Sequence, residues 1–299
     1  MNADDIAEVS ELLADAERAD GVRPLSDHLW LDLRQGGRQG FAALISTELG
    51  HDHPVAYCQL SRGNESWSLD LVVHPHHRYD TDTIGPELID AALSIVAEEG
   101  GGHVHWWVFE PAQLHRDLAA KFGLHEGRQL LQLRRPLPLE PALAARGHDI
   151  DTRPFRPDSD LDEWLAVNNA AFANHPEQGG WDRTTMTARM AEPWFDALGL
   201  RMTRINDELA GFCWTKLHRD THPMLGEIYV IAVNPRHGGH GLGRALAAAG
   251  LNYLSSVGAH TAMLFVDADN EPAKAMYSAL GFTAHHVERA FVGDITSRK

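Results

Sequence analysis

Short β-branched and aromatic runs alternate along the chain with segments in which Ala and Leu recur at helical spacing. Ser68 to Pro75 (SLDLVVHP) reads as a strand that stops at His-Pro. A polar loop with one glycine follows, then an Ala/Leu-rich helix over Pro86 to Glu99, a short strand over His103 to Phe109, a second helix and a final strand. The second half repeats this order. Gly226 to Pro235 (GEIYVIAVNP) stops at Asn-Pro and is followed by a glycine-rich loop, a helix over Gly241 to Val257, a strand over Thr261 to Val266, a second helix and a final strand. The second helices close on like phrases, Lys121-Phe122-Gly123-Leu124 and Ala279-Leu280-Gly281-Phe282. Cys58 and Cys213 also stand in matching places, in VAYC and GFCW. With helical segments ahead of each copy, the pattern predicts an α/β chain of two tandem domains, each a mixed β-sheet flanked by helices. Arg134 to His148 holds three prolines, several charges and a glycine and reads as a linker, which sets the domains at residues 1–140 and 141–299.

The 299 residues suit two domains of ordinary size, and 43% hydrophobic with 23% charged residues is a globular composition. A formal net charge of -16 disfavours nucleic acid and anionic membranes as partners, so an anionic ligand needs a local array of donors. Met1 to Leu13 carries Asp4, Asp5, Glu8 and Glu11 and lacks the basic start and apolar run of a secretory signal. Cys58 and Cys213 read as buried thiols, not as a disulfide. These features predict a cytoplasmic protein. The 19 histidines fit neither H-E-x-x-H nor a zinc pattern, which predicts scattered surface histidines and no metal site.

The densest chemical signal is Val233-Asn234-Pro235-Arg236-His237-Gly238-Gly239-His240-Gly241-Leu242-Gly243-Arg244. It leaves a strand and opens a helix. Glycines let the backbone turn tightly and aim successive N–H groups at one point, and the helix start adds the positive end of its dipole. That is an anion site suited to a pyrophosphate. The dinucleotide fingerprint fails, because Arg244 stands where its last glycine belongs, and no Gly-Lys-Ser/Thr is present for a phosphate-binding Walker loop.

The segment resembles the acetyl-CoA loop of the GNAT superfamily of N-acetyltransferases, Gln/Arg-x-x-Gly-x-Gly/Ala, with Gly241-Leu242-Gly243 in the last three places and Gly238 in the first. Downstream, Asn270-Glu271-Pro272-Ala273-Lys274-Ala275-Met276-Tyr277-Ser278-Ala279-Leu280-Gly281-Phe282 is similar to the superfamily's N-x-x-A-x-x-x-Y-x-x-x-G-F signature. The resemblance implies two tandem GNAT-like domains that use acetyl-CoA as acetyl donor. It also implies that Ile231, Ala232 and Val233, the loop Gly238, Gly239, His240, Gly241, Leu242, Gly243 and Arg244, and the helix start Asn270, Glu271, Pro272, Ala273, Lys274 and Ala275 hold that donor. Glu227 lies on the strand entering the loop, and alternation places it on one face with Tyr229, Ile231 and Val233. A carboxylate there reads as a general base, direct or through water, or as an anchor for an ammonium group. Spacing alone makes Tyr277 a core residue beside Ala273, Met276 and Leu280; the resemblance makes it the general acid for the departing thiolate.

The phrase Asn168-Asn169-Ala170-Ala171-Phe172-Ala173-Asn174-His175-Pro176-Glu177-Gln178-Gly179-Gly180-Trp181, with Phe212 to Lys216 and Gly226 to Val230, is similar to the mycothiol synthase family, tandem GNAT proteins of actinobacteria. That family acetylates the cysteinyl amine of cysteinyl-glucosaminyl-inositol, a small-molecule amine. The resemblance implies substrate contacts at Asp27, Glu177, Lys216 and Glu227, and at Phe265, where the family tends to have a tyrosine. Two alternatives stay open: a tandem GNAT protein acting on another amine, and a non-catalytic CoA-binding protein. The first copy reads as degenerate. Its loop is two residues longer, carries Asp80 and Asp82, keeps only Gly85 of the glycine pair, and has no counterpart of Tyr277. Residual donor binding there would fall to Leu71, Val72 and Val73.

Overall fold

The computed structural model describes residues 1–47, 53–63, 66–173, 175, 178–219, 221–239 and 241–298, the side chains of Asp27 and His28 excepted. In chain order the first half forms α1 (Ala3–Asp20), α2 (Asp27–Arg34), β1 (Phe41–Ser46), β2 (Ala56–Arg62), β3 (Ser66–Val73), a 3₁₀ turn (Pro75–Asp80), α3 (Thr81–Glu98), β4 (Gly102–Phe109), α4 (Gln113–Lys121) and β5 (His125–Pro136). The second half forms α5 (Pro141–Arg146), β6 (Arg153–Pro154), α6 (Pro157–Ala171), α7 (Arg183–Met190), β7 (Leu200–Ile205), β8 (Glu208–His218), β9 (Leu225–Val233), a 3₁₀ turn (Pro235–His237), α8 (Leu242–Ser256), β10 (Thr261–Asp267), α9 (Glu271–Ser278) and β11 (Thr283–Ile295). The predicted repeat is present: helix pair, three-strand meander, helix, strand, helix, strand.

Two compact units result, residues 1–130 with 287–299, and residues 131–286. This division differs from a cut near residue 140 at both ends of the second half. Residues 288–295 of β11 pair antiparallel with β4, from Glu288 opposite Phe109 to Ile295 opposite Gly102, so this part of β11 belongs to the first unit's sheet. The predicted linker is instead ordered structure of the second unit. Arg135 is buried and donates to the Leu280 carbonyl and to Glu140. The Leu137 N–H donates to His260, and Leu133, Leu139 and Leu143 pack against α8 and β10 residues. Three prolines and several charges mimic a linker, but the leucines between them find a core. After it, β6 is only the pair Arg153–Pro154, opposite Met202 and Arg201 of β7.

In the first unit β1, β2 and β3 are antiparallel and β3 runs parallel to β4. Both faces of this sheet are covered. On β2, Cys58 and Leu60 join a core with Ile89, Leu93 and Val96 of α3, while Tyr57 points into a core with Val9, Leu12, Leu13 and Ala16 of α1. Those α1 positions recur at helical spacing, and a capping box of Asn2 and Asp5 starts the helix. In the second unit β7, β8 and β9 are antiparallel and β9 runs parallel to β10. Its sheet packs on α6 through Trp164 and Leu165 and, on the opposite face, on α8 through Leu246, Leu251 and Leu254. Cys58 and Cys213 are buried free thiols on the corresponding strands β2 and β8.

Candidate active site

The site begins with a fork in the second unit's sheet. β9 and β10 pair only at Leu225–Thr261, Gly226–Ala262 and Glu227–Met263, then run on without pairing. From Ile228 to Val233 the edge of β9 that faces β10 therefore offers its backbone N–H and C=O groups to something other than a neighbouring strand. Glu227 sits at the point of the fork.

A β-bulge corrects the predicted alternation. Trp214 of β8 opposes Val230 and Thr215 opposes Ile228, which leaves Tyr229 without an opposing residue. The extra residue shifts the phase by one. Tyr229, Val230 and Ala232 pack toward the α6 core, whereas Ile228, Ile231 and Val233 pack toward α8 and α9. Glu227 thus shares a face with Tyr229 but not with Ile231 and Val233.

On the Glu227 face the side chains form one charged cluster. Lys216 stands opposite Glu227 across the strand pair, and His218, two residues on, places Nε2 at 2.8 Å from a Glu227 carboxylate oxygen. All three are buried: Lys216 is 4% exposed, Glu227 7% and His218 9%. The Lys216 ammonium lies 4.7 Å from the ring centre of Trp194 and 5.5 Å from that of Tyr229, a cation–π arrangement that stabilises a buried ammonium. Phe265 lies two residues beyond Met263 on β10, on the same face, and is 39% exposed. A carboxylate, an imidazole and an ammonium between aromatic walls can accept from an amine, pass on a proton and hold polar substrate groups.

Beyond the fork the chain turns through glycines. The Asn234 side chain accepts from the Arg236 N–H and donates to the Leu209 carbonyl. Gly239 (φ +87°) and Gly241 (φ +74°) adopt left-handed backbone, and Gly241 caps α8 with no side chain in the way. A β-carbon at either would meet nothing within 4 Å, so the turn is open in front. The α8 N-terminus and the turn therefore present backbone donors to an anion. Arg236 and His237 both bind Glu208, at 2.7 and 3.2 Å, and these hydrogen bonds, Arg236's first, hold the Glu208 carboxyl below its ordinary range. His240 lies outside the described residues. Leu242 is buried, Gly243 fits against Met276 and Val233, and Arg244 donates to the Ala279 carbonyl at 3.1 Å.

Asn270 caps α9 by accepting from the Ala273 N–H, with Pro272 in the first turn. Lys274 is tied to Glu271 and to the Ala268 carbonyl, each at 2.6 Å. Ala273, Met276 and Tyr277 join the same core as Ile231 and Val233. Tyr277 is 5% exposed with its ring against Phe282, and burial pushes its hydroxyl pKa up. It therefore lies on the side of β9 opposite to the Glu227 cluster and next to the diverging half of the strand.

Asp27 opens α2, but its side chain is not described, and Glu177 lies outside the described residues. The phrase around Glu177 has a structural part. Asn168 is fully buried and exchanges hydrogen bonds with Gln178, and Asn169 does the same with the Trp181 backbone. His175 reaches 3.9 Å from Asp267 at the end of β10. Sequence reasoning missed His218 and Trp194. His218 had a signal, since it shares a strand face with Lys216; Trp194, in the segment before β7, had none.

In the first unit the same position holds no glycine turn. The 3₁₀ turn runs straight into α3, so Asp82, Thr83 and Gly85 are helical rather than loop residues. A fork persists there, since β3 and β4 pair only from Ser66–His103 to Leu69–Trp106. Leu71 and Val73 pack into the α3 core and Val72 into the α1 core.

The Acetyltransferase (GNAT) family model matches residues 162–282. A protein of Acidimicrobium ferrooxidans called mycothiol acetyltransferase is 40% identical over 281 residues, covering 93% of this chain and 90% of its own length. One of the same name from Streptomyces coelicolor is 40% identical over 286 residues, covering 94% and 89%. Among solved structures, a GCN5-related N-acetyltransferase from Sphaerobacter thermophilus superposes with a TM-score of 0.72 at 19% identity, over all of this chain and 95% of that one. A tandem GNAT protein from the clavulanic acid biosynthesis pathway gives 0.70 at 18% identity, over all of this chain and 97% of that one. The structural likenesses carry the tandem fold, and identity at this level over nine-tenths of both partners carries the family: the chain belongs to the mycothiol acetyltransferase family of GNAT proteins.

Proposed function

We propose that the protein transfers acetyl from acetyl-CoA to the cysteinyl amine of cysteinyl-glucosaminyl-inositol, yielding mycothiol and CoA, at the fork of the second unit. The observation that carries this reading is the joint placement of a buried carboxylate at the point of the fork and an open glycine turn at its far end. The family supplies the name of the amine; the geometry supports acyl transfer at this fork.

Acetyl-CoA brings a thioester carbonyl and an anionic pyrophosphate. The glycine turn and the α8 N-terminus would hold the pyrophosphate, and the free edge of Ile231, Ala232 and Val233 would hold the pantetheine arm. The amine enters largely protonated or near its pKa of about 7.7–8.0, so a modest base suffices to make it nucleophilic. Glu227 takes that proton, and His218, hydrogen-bonded to it, orients the carboxylate and provides a route onward. The amine nitrogen bonds to the carbonyl carbon, the carbon–sulfur bond breaks, the nitrogen gives up its second proton to solvent along the same Glu227–His218 route, and the thiolate leaves with a proton from an acid that solvent reprotonates. Tyr277 suits that donor role because burial keeps its hydroxyl protonated and it packs beside the diverging half of β9. Lys216 and Phe265 flank the amine side of the fork, one for polar groups and one as an apolar wall.

The test is a panel of amines with acetyl-CoA, with acetylated products separated and identified by mass spectrometry. The expected result is a kcat/KM for cysteinyl-glucosaminyl-inositol at least a hundredfold above that for cysteine amide or glucosamine. Equal or better use of an unrelated amine, or acetyl-CoA binding without any acetylated product, would overturn it.

A further inference from the structure

We propose that His53, His74 and His77 form a binding site for one divalent transition-metal ion of the zinc class, in the first unit and separate from the acetyl-transfer site. Their candidate ligand atoms all lie within 4.8 Å of one another. The ring centres are 4.5 Å apart for His53 and His74 and 5.8 Å apart for the other two pairs. His74 is 4% exposed and His77 3%, so two of the three rings are inside the fold rather than on its surface. This corrects the expectation of scattered surface histidines. Spacing in the sequence hides the cluster, because His53 precedes β2 while His74 and His77 follow β3.

The surroundings suit a cation. His74 Nε2 lies 3.1 Å from an Asp15 carboxylate oxygen. Donation of the Nε2 proton to Asp15 leaves Nδ1 as the lone-pair nitrogen, the arrangement in which a carboxylate orients a metal-binding histidine. That Nδ1 now accepts only a long bond, 3.3 Å, from the His76 N–H. Three imidazole donors select zinc, nickel, cobalt or copper over calcium and magnesium, which take oxygen ligands. Zinc–nitrogen bonds of about 2.0–2.1 Å set ligand nitrogens roughly 3.4 Å apart in a tetrahedral site, so the rings draw in by about an ångström on loading. Three protein ligands leave one position for water.

The place in the fold gives the ion a use. His74, Pro75 and His77 stand in the first unit where Asn234, Pro235 and His237 stand in the second, and His74 caps its 3₁₀ turn as Asn234 does. Where the second unit opens into a glycine turn, the first would tie its turn to the segment before β2 through the metal. The ion is then a structural clasp on the copy that has lost the glycine turn.

The test uses the full-length protein, stripped with a chelator and exchanged into chelator-free buffer, titrated with Co²⁺ and separately with Zn²⁺. The expected result is one Co²⁺ per chain with the visible absorption of a low-coordinate nitrogen site, no thiolate charge-transfer band, and displacement by one Zn²⁺. Saturating Zn²⁺, at a hundredfold excess over Kd, should raise the thermal midpoint by about 5–10 °C. His53→Gln and His77→Gln should each weaken binding at least tenfold, and Asp15→Asn about tenfold or more. A double His285→Gln, His286→Gln variant, at adjacent rings outside the cluster, should bind as wild type. Circular dichroism establishes that each variant is folded; if His77→Gln is not, His53→Gln decides. No saturable equivalent at micromolar Co²⁺, its survival in His53→Gln and His77→Gln, or its loss in the His285/His286 variant would overturn the proposal.

Discussion

Replacing Gly241 by alanine isolates the backbone conformation of the glycine turn, proposed above to hold the pyrophosphate. Gly241 has φ +74°, and an added β-carbon would touch nothing within 4 Å, so crowding contributes nothing to the effect. What remains is the cost of left-handed backbone for an L-residue, about 1–2 kcal/mol. In a unit of this size each kcal/mol moves the thermal midpoint by about 2–4 °C, so the midpoint should fall by about 2–8 °C. If the turn relaxes to relieve the strain, its donors leave the anion, and 1–2 kcal/mol of lost binding raises KM for acetyl-CoA about 5- to 30-fold. The KM for the amine should hold. Gly243→Ala is the control: Gly243 lies in the first turn of α8 without positive φ, and the new β-carbon would sit 3.4 Å from the flexible Met276 sulfur. Helix propensity favours Ala there by about 0.5–1 kcal/mol, so the midpoint should stay or rise slightly. Differential scanning calorimetry and initial-rate kinetics give both readouts. Gly241→Ala with unchanged midpoint and unchanged acetyl-CoA KM would show that left-handed backbone at this position supports neither stability nor donor binding.

Three further outcomes follow from the same structure. Asn168→Ala removes a fully buried side chain that donates to the Gln178 carbonyl and accepts from its amide; leaving those groups unpaired should cost about 1–3 kcal/mol, read as a lower urea midpoint at unchanged slope. The thiols of Cys58 and Cys213 are pushed up by burial, Cys213 to about 12, so Ellman's reagent at pH 8 should find none in the native protein and two after denaturation; prompt native labelling would contradict the burial. Asp160 is held below its ordinary pKa first by its hydrogen bond from Arg153 and further by the Arg156 N–H, so its stabilisation is complete above about pH 3.9 and is lost as pH falls through the lower folded value. Asp160→Asn should therefore flatten the acid limb of the stability curve below pH 4, and an unchanged limb would show that the pair contributes nothing.

Much of this protein is written locally in its sequence. The tandem repeat is visible because each strand that enters the loop is a β-branched run ended by His-Pro or Asn-Pro, and the glycine turn is visible because left-handed backbone at Gly239 and Gly241 admits few other residues. The features that escaped are set by distant pairing. One unmatched residue, Tyr229, moves Ile231 and Val233 to the face opposite Glu227, and no periodicity within β9 announces it, because the slip exists only relative to β8. Leu137, Leu139 and Leu143 lie in a stretch whose prolines and charges suggest a linker, yet they pack against α8 and β10 residues far along the chain. The end of β11 belongs to the first unit through its ladder with β4. His218 and Trp194 complete the Glu227–Lys216 cluster only once strands and segments converge.

The most direct measurement compares wild type with Glu227→Gln, using acetyl-CoA and cysteinyl-glucosaminyl-inositol, products separated because the amine carries its own thiol, and acetyl-CoA affinity measured beside turnover by calorimetry. A base at the point of the fork predicts a fall in kcat/KM of about 10²- to 10⁴-fold with acetyl-CoA affinity kept within about threefold. Product formation at the wild-type rate in Glu227→Gln, or no acetylated amine from the wild type, would contradict it.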